Sequence, residues 1–144
     1  MNVLTHWPFP RAKVIRVVDG DTFELDLDHG CGITSRKMVR LAEVDVYETS
    51  RRGGWDDGLS EDEIAAHLAL GEQAEARVRD FLPEGSFVRV TGHSWDKYGR
   101  LVAAIEYHHA PIFEGYPSED ADGNPLFDLG ETLRQEGFEK PGKE

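Results

Sequence analysis

Carboxylates gather at two places in the first fifty residues, each beside the end of a predicted strand. Asp21 lies in the turn "DGDT", and Asp45 and Glu48 follow the stretch "VRLAEV". Carboxylate oxygens are ligands that hard cations such as Ca²⁺ prefer in proteins. A further carboxylate that reaches a metal-bound water acts as a general base. The spacing therefore predicts Asp21 and Asp45 as metal ligands and Glu48 as a base.

Hydrolysis of a phosphodiester needs, besides a metal and a base, groups that hold the phosphate. Two arginines could supply them. Arg40 precedes Asp45 on the same predicted strand, and Arg100 ends the turn "DKYGR". A guanidinium group is planar, stays charged at any working pH and grips phosphate oxygens in two places. Other basic residues lie near these turns in sequence, which makes the region locally basic: Arg36, Lys37, Arg51, Arg52 and Lys97.

Each stretch has an ordinary explanation when taken alone. "DGDT" is typical of a type I turn, and "DKYGR" is typical of a hairpin connection. An arginine on a strand usually extends its stem along the surface. The chemical interpretation depends on all three stretches occurring in this order on one scaffold.

The elements that must position these residues follow from hydrophobic periodicity. Alternation and β-branched content predict strands over 12–18, 22–28, 35–44, 86–93 and 100–107, the first three as an antiparallel meander. Ser60 and Glu63 form a capping box that begins one bent helix or two short helices over 61–82. Leu126, Leu129, Leu133 and Phe138 indicate a short final helix. The order β-β-β-α-β-β-α predicts a mainly-β α+β fold, a five-stranded Greek-key barrel of the OB type with two to three helices.

A chain of 144 residues suits one domain. We expect an extended arm over 1–11, because "WPFP" cannot form a helix, then one domain over 12–139 and a disordered tail over 140–144. Within the domain, 49–70 is expected to be a long acidic loop. Cys31 is the single cysteine, so neither an intrachain disulfide nor a thiolate metal cluster can form.

The formal net charge of −12 argues against nucleic-acid binding by bulk attraction. It does not exclude such binding, because only the local potential acts on a bound phosphate. No apolar stretch is long enough to span a membrane, and the N-terminal residues do not resemble a signal peptide. We therefore expect a cytoplasmic, monomeric protein without a membrane partner.

Five segments together resemble the staphylococcal nuclease (thermonuclease-like) family over about residues 12–139: "VVDGDTF", "VRLAEVDVYET", "GEQA", "DKYGR" and "LRQEG". The resemblance implies a Ca²⁺-dependent phosphodiesterase on an OB-fold. Such enzymes cleave the P–O5′ bond of DNA and RNA, leave 3′-phosphate ends and favour single-stranded or breathing substrates.

Position by position, the resemblance implies one Ca²⁺ ion held by Asp21, Asp45 and the backbone carbonyl of Val46, with Asp19 in support. It gives Glu48 the task of activating the attacking water. Arg40 and Arg100 would clamp the scissile phosphate, and Lys97 and Tyr98 would touch a terminal phosphate.

The chain has Tyr47 where the family pattern has proline. Proline restrains φ, so tyrosine is expected to leave the segment freer and to lower activity without moving Glu48 far. Two other classes stay open: a non-catalytic OB module that binds nucleic acid or a protein partner, and a small Ca²⁺-binding structural protein.

Other candidates are weaker. Trp55 is expected to anchor its loop or to stack on a base, and "DADGN" is expected to be a plain turn. His108 and His109 could bind a metal, but adjacent histidines on a strand point to opposite faces. They are therefore expected to be surface residues. Trp95 and Tyr107 are expected in the barrel.

Overall fold

The computed structural model describes residues 6–120 and 122–141. These residues form six strands and two helices, in chain order β1 (Trp7–Asp19), β2 (Thr22–Asp28), β3 (Thr34–Leu41), α1 (Glu61–Phe81), β4 (Phe87–Trp95), β5 (Leu101–His108), β6 (Leu126–Asp128) and α2 (Leu129–Gln135).

The sheet closes into a barrel. Its strand order is β3-β2-β1-β4-β5-β6, and a parallel pairing of β3 with β5 joins Val39 to Leu101. Strands β1 to β5 therefore form a closed five-stranded mixed barrel, with β6 added at the outer edge of β5. The predicted OB-like, mainly-β α+β fold is confirmed.

The core follows from the alternation along the strands. In β2, Phe23, Leu25 and Leu27 are buried, and the residues between them are partly exposed. Each such side chain contributes about 1.5–3 kcal/mol when fully buried. Other strands and both helices add to the same core, with Val14, Val39, Val78, Val88, Leu101, Ile105, Leu129 and Leu133.

Strand β1 is longer than predicted and serves two neighbours. Its first half pairs with β4, Trp7 opposite Gly92, and its second half pairs with β2. Residues 7–11 thus belong to the barrel rather than to an arm, while 1–5 lie outside the described residues. Pro10 is tolerated because the β1–β4 register is irregular between Phe9 and Ala12, whereas Pro8 lies opposite Thr91 near the start of the strand.

Helix α1 begins as predicted, because the Ser60 side chain accepts from the Glu63 backbone N–H and the Glu63 carboxylate accepts from the Ser60 backbone N–H. It runs as one helix through Gly71, so the second half of the predicted 49–70 loop is helical. Its buried face carries Ile64, Gly71, Ala74 and Val78. Among the described residues, no helix is both long enough and apolar enough to cross a membrane.

Two boundaries differ from the prediction for local reasons. Strand β3 ends at Leu41, before a turn in which Glu43 has a φ of 61°. Leu126 belongs to β6, and α2 begins only at Leu129. Asp128 is the N-cap of α2, because its side chain accepts from the Glu131 backbone N–H.

The predictions for Tyr107, Trp95, His108 and His109 have mixed outcomes. Tyr107 is buried in the barrel, as expected, and Cys31 lies exposed in a turn. Trp95 lies on β4 but is 52 % exposed. His109 is exposed, but the surface prediction for His108 is wrong: the ring is buried, with Nδ1 bonded to the Asn124 carbonyl and Nε2 accepting from the Ser118 amide.

Candidate functional site

A cavity of about 990 Å³ lies where the segment after β3, the β4–β5 turn, α1 and the C-terminal residues meet. We call it the site cavity. The charged and aromatic side chains that line it include Arg40, Asp45, Trp55, His67, Arg100 and Lys140. Residues from four separate parts of the chain thus share one space.

Arg40 joins the two carboxylates that the sequence predicts as metal ligands. Its Nη1 lies 3.2 Å from Asp21 Oδ2, and its Nη2 lies 3.0 Å from Asp45 Oδ1. The pairing of Thr22 with Arg40 across β2 and β3 brings the "DGDT" turn to this position. Arg40 also donates to the carbonyls of Leu41 and Val44, so one guanidinium organises the whole turn after β3.

The Asp21 carboxylate is held by its surroundings. Val46 donates its backbone N–H to Oδ2 at 3.2 Å, and the Thr22 hydroxyl donates to Oδ1 at 3.2 Å. Asp19 accepts from the Asp21 amide at 3.1 Å. Burial and the neighbouring Asp19 raise the pKa of Asp21 to about 7, against the lowering effect of Arg40. The site therefore holds a carboxylate that lacks full charge compensation.

The donor set fits a hard cation in chemical type. Asp21 and Asp45 supply oxygens, and a cation beside Asp21 would relieve the cost of its buried charge. In the described residues, however, no three acidic, histidine or cysteine side chains converge on one point, and Asp21 and Asp45 meet through Arg40. The Ca²⁺ ion thus stays a prediction.

Glu48 is not among the residues that line the site cavity, but its carboxylate contacts two that are, His67 and Lys140. Lys140 donates to Oε1 at 2.6 Å, and the Nε2 atom of His67 contacts Oε2. The Glu48 backbone N–H also points at His67 Nε2, 2.9 Å away. Glu48 is connected to Asp45 through Lys140, whose Nζ lies 3.4 Å from Asp45 Oδ2.

Lys140 is placed by a short backbone pairing, although 140–144 was predicted as a disordered tail. Its N–H donates to the Asp45 carbonyl at 2.7 Å, and Val46 forms a bridge with Glu139. Burial lowers the pKa of Lys140, but bonds to Glu48 and the charges of Asp45 and Glu48 outweigh it and raise that pKa. Residues 142–144 lie outside the described part of the chain.

The "DKYGR" turn is organised by Asp96. Its carboxylate accepts from the backbone N–H groups of Tyr98 and Arg100, each at 2.9 Å, and from Arg100 Nε at 2.6 Å. This bonding directs Arg100 into the site cavity. Tyr98 is 72 % exposed at the tip of the hairpin, and Lys97 Nζ lies 5.2 Å from the centre of its ring. Among described residues, the lining of the cavity includes neither Lys97 nor Tyr98.

The aromatic residues beside Glu48 pack on His67. The Trp55 ring stacks on the imidazole at 3.8 Å, and Trp55 Nε1 donates to the Ser50 carbonyl. These contacts agree with Trp55 as an anchor of its loop. Tyr47 meets His67 edge-on at 4.8 Å. His67 was missed from the sequence, and its only signal is its place on α1 one turn before Gly71.

Comparisons with known proteins supply no family for the chain. It matches none of the protein-family models, and no curated protein is significantly similar to it in sequence. A function therefore has to be argued from the contacts within the site.

Proposed function

We propose that the chain is a Ca²⁺-dependent nuclease that hydrolyses phosphodiester bonds of DNA or RNA. The observation that carries the proposal is the convergence of two guanidinium groups from distant turns. Arg40 and Arg100 line one cavity together with Asp45, and Arg40 is bonded to Asp21. Paired arginines beside carboxylates suit the binding of a phosphate that must also be attacked by water.

In this reaction Arg40 and Arg100 hold the phosphate oxygens and stabilise the charge that grows on them in the transition state. Glu48 takes a proton from the attacking water as the P–O bond forms. The P–O5′ bond breaks, the leaving 5′-oxygen takes a proton from solvent, and the products are a 3′-phosphate and a 5′-hydroxyl. A bound Ca²⁺ would supply charge neutralisation beside the phosphate.

Substrate has to replace contacts within the chain. Arg40 exchanges Asp21 and Asp45 for phosphate oxygens, and Arg100 loosens its bond to Asp96. Because the net charge of the chain is −12, few local contacts carry the attraction, and binding should weaken steeply with salt. A single strand, which can bend into the cavity, is the favoured substrate.

A second candidate rests on the same ion pairs. Arg40, Arg100 and Lys140 all have carboxylate partners in the chain, an arrangement that suits a non-catalytic OB module that binds nucleic acid or a protein. Such a module would bind without cleaving and would not require Glu48.

Cleavage of fluorogenic single-stranded DNA and RNA, with Ca²⁺ or with EDTA, tests the proposal. Wild type should cleave only with Ca²⁺, Glu48→Gln should be inactive, and Arg40→Ala should lose about 10²–10³-fold in kcat. Arg36→Ala is the matched control, since Arg36 lies on the same strand and is paired with Asp26 at the surface. No Ca²⁺-dependent cleavage by wild type would refute the nuclease. Binding that survives Arg40→Ala with Arg100→Ala would support the module.

A further inference from the structure

Glu48 lies outside any regular element. It follows the isolated bridge at Val46 and precedes the turns that lead to α1. Neither a strand nor a helix therefore fixes the direction of its side chain. A group that must act on a bound molecule needs support from neighbouring residues when its own backbone is irregular.

Helix α1 provides that support at two successive turns. A Cβ at Gly71 would lie 2.0 Å from the Glu48 carbonyl oxygen, so the helix backbone touches the Glu48 backbone directly. His67 lies four residues earlier on the same face of the helix. Gly71 thus sets the position of the Glu48 main chain, and His67 meets its side chain and its N–H.

The imidazole of His67 is itself fixed. Its side chain is only 12 % exposed. Trp55 covers one face at 3.8 Å with an interplanar angle of 16°, and Tyr47 meets the ring at 83°. Because Trp55 is tied to the Ser50 carbonyl, one of the two aromatic rings packed on the imidazole is itself anchored. His67 can therefore act as a rigid support.

Both oxygens of the Glu48 carboxylate have partners. Oε1 accepts from Lys140, and Oε2 contacts Nε2 of His67. A ring with its proton on Nε2 donates that proton to Oε2, and a ring with its proton on Nδ1 accepts from the Glu48 N–H instead. The first form restrains the Glu48 carboxylate, and the second restrains only its main chain.

We propose that His67 is a positioning residue that holds the carboxylate of Glu48 in the orientation required at the site cavity. His67 acts through Glu48, and Lys140 restrains the other carboxylate oxygen, Oε1. The catalytic part of this inference rests on the proposed nuclease function. The restraint itself is a property of the protein without substrate and can be measured separately.

The test compares His67→Ala, His67→Gln and His109→Ala. Glutamine keeps a side-chain N–H₂ donor near the place of Nε2, and His109 is exposed and serves as the matched control. Hydrogen exchange of the Glu48 amide, followed by NMR, should accelerate about tenfold or more in His67→Ala and less in His67→Gln. With a Ca²⁺-dependent oligonucleotide assay, kcat should fall about 10–100-fold in His67→Ala with KM nearly unchanged, and His67→Gln should recover most of the loss.

The outcomes distinguish the positioning role of His67 from the proposed nuclease function. Glu48 amide exchange and the ¹³C chemical shift of the Glu48 carboxyl group, both unchanged in His67→Ala, would overturn the positioning role, whatever the activity. Full activity in His67→Ala, in an assay where Glu48→Gln is inactive, would also overturn it. If wild type does not cleave but Glu48 exchange accelerates, the nuclease proposal fails and the restraint by His67 is upheld.

Discussion

The side chains of Lys140 and Glu48 lie 92 positions apart in the sequence and are joined by a 2.6 Å hydrogen bond. The same ammonium group lies 3.4 Å from Asp45. Lys140 thus places a positive charge between the proposed base and a proposed metal ligand. It compensates both carboxylates when no substrate or metal is bound.

Replacing Lys140 should strengthen Ca²⁺ binding. Lys140→Ala removes a cation that competes for Asp45, and the partly exposed position limits the gain to about fivefold in Kd. Isothermal titration calorimetry measures the change, with Lys37→Ala on the exposed face of β3 as the control. Weaker Ca²⁺ binding in Lys140→Ala would mean that Lys140 supports the metal site rather than competing with it.

Adding one methyl group at Gly71 should disturb both stability and the site. The Cβ would meet the Glu48 carbonyl oxygen at 2.0 Å, so Gly71→Ala must push α1 and the Glu48 segment apart. Overpacking of this kind costs about 1–3 kcal/mol, which outweighs the higher helix propensity of alanine. Urea unfolding measures the loss. Gln73→Ala, exposed on the same helix, should be nearly neutral, and a Gly71→Ala protein as stable as wild type would contradict the close approach.

The stability of the metal-free protein should fall as the pH rises from about 4 to about 7. Burial raises the pKa of Asp21 to about 7, whereas the unfolded chain releases that proton near pH 3.8. Between these values the folded state binds more protons, so the free energy of unfolding decreases as pH rises. The urea midpoint at several pH values checks this. Asp21→Asn should flatten the dependence, while Asp45→Asn, at an exposed position, should leave it largely intact.

Asp96 should hold Arg100 in the orientation in which it binds substrate. Its carboxylate accepts three hydrogen bonds within the β4–β5 turn, including one from Arg100 Nε. Asp96→Ala should lower the urea midpoint and raise KM several-fold, because a freer Arg100 has to be ordered by substrate. Asp80→Ala, exposed near the end of α1, is the control. Equal KM values in Asp96→Ala and wild type would mean that the ordering of Arg100 by Asp96 does not contribute to substrate binding.

Local sequence was sufficient for much of the fold. The alternation of Phe23, Leu25 and Leu27 predicts β2 because the period of a strand determines which side chains face the core. The capping box at Ser60 predicts the start of α1 because its bonds join residues three positions apart. Strand β6 was missed because three residues carry too little periodicity, and it forms only by pairing with β5.

For the candidate site, too, some features follow from the sequence and others only from the tertiary structure. Residue types and turn signals were enough to select Asp21, Arg40, Asp45, Glu48 and Arg100, because carboxylates and guanidinium groups limit the chemistry that is available. Only the tertiary structure decided their partners. Arg40 bridges Asp21 and Asp45, while Glu48 binds His67 and Lys140. No periodicity relates Glu48 to Lys140, since their contact depends on barrel closure, on α1 packing against the segment after β3 and on the pairing of Val46 with Glu139.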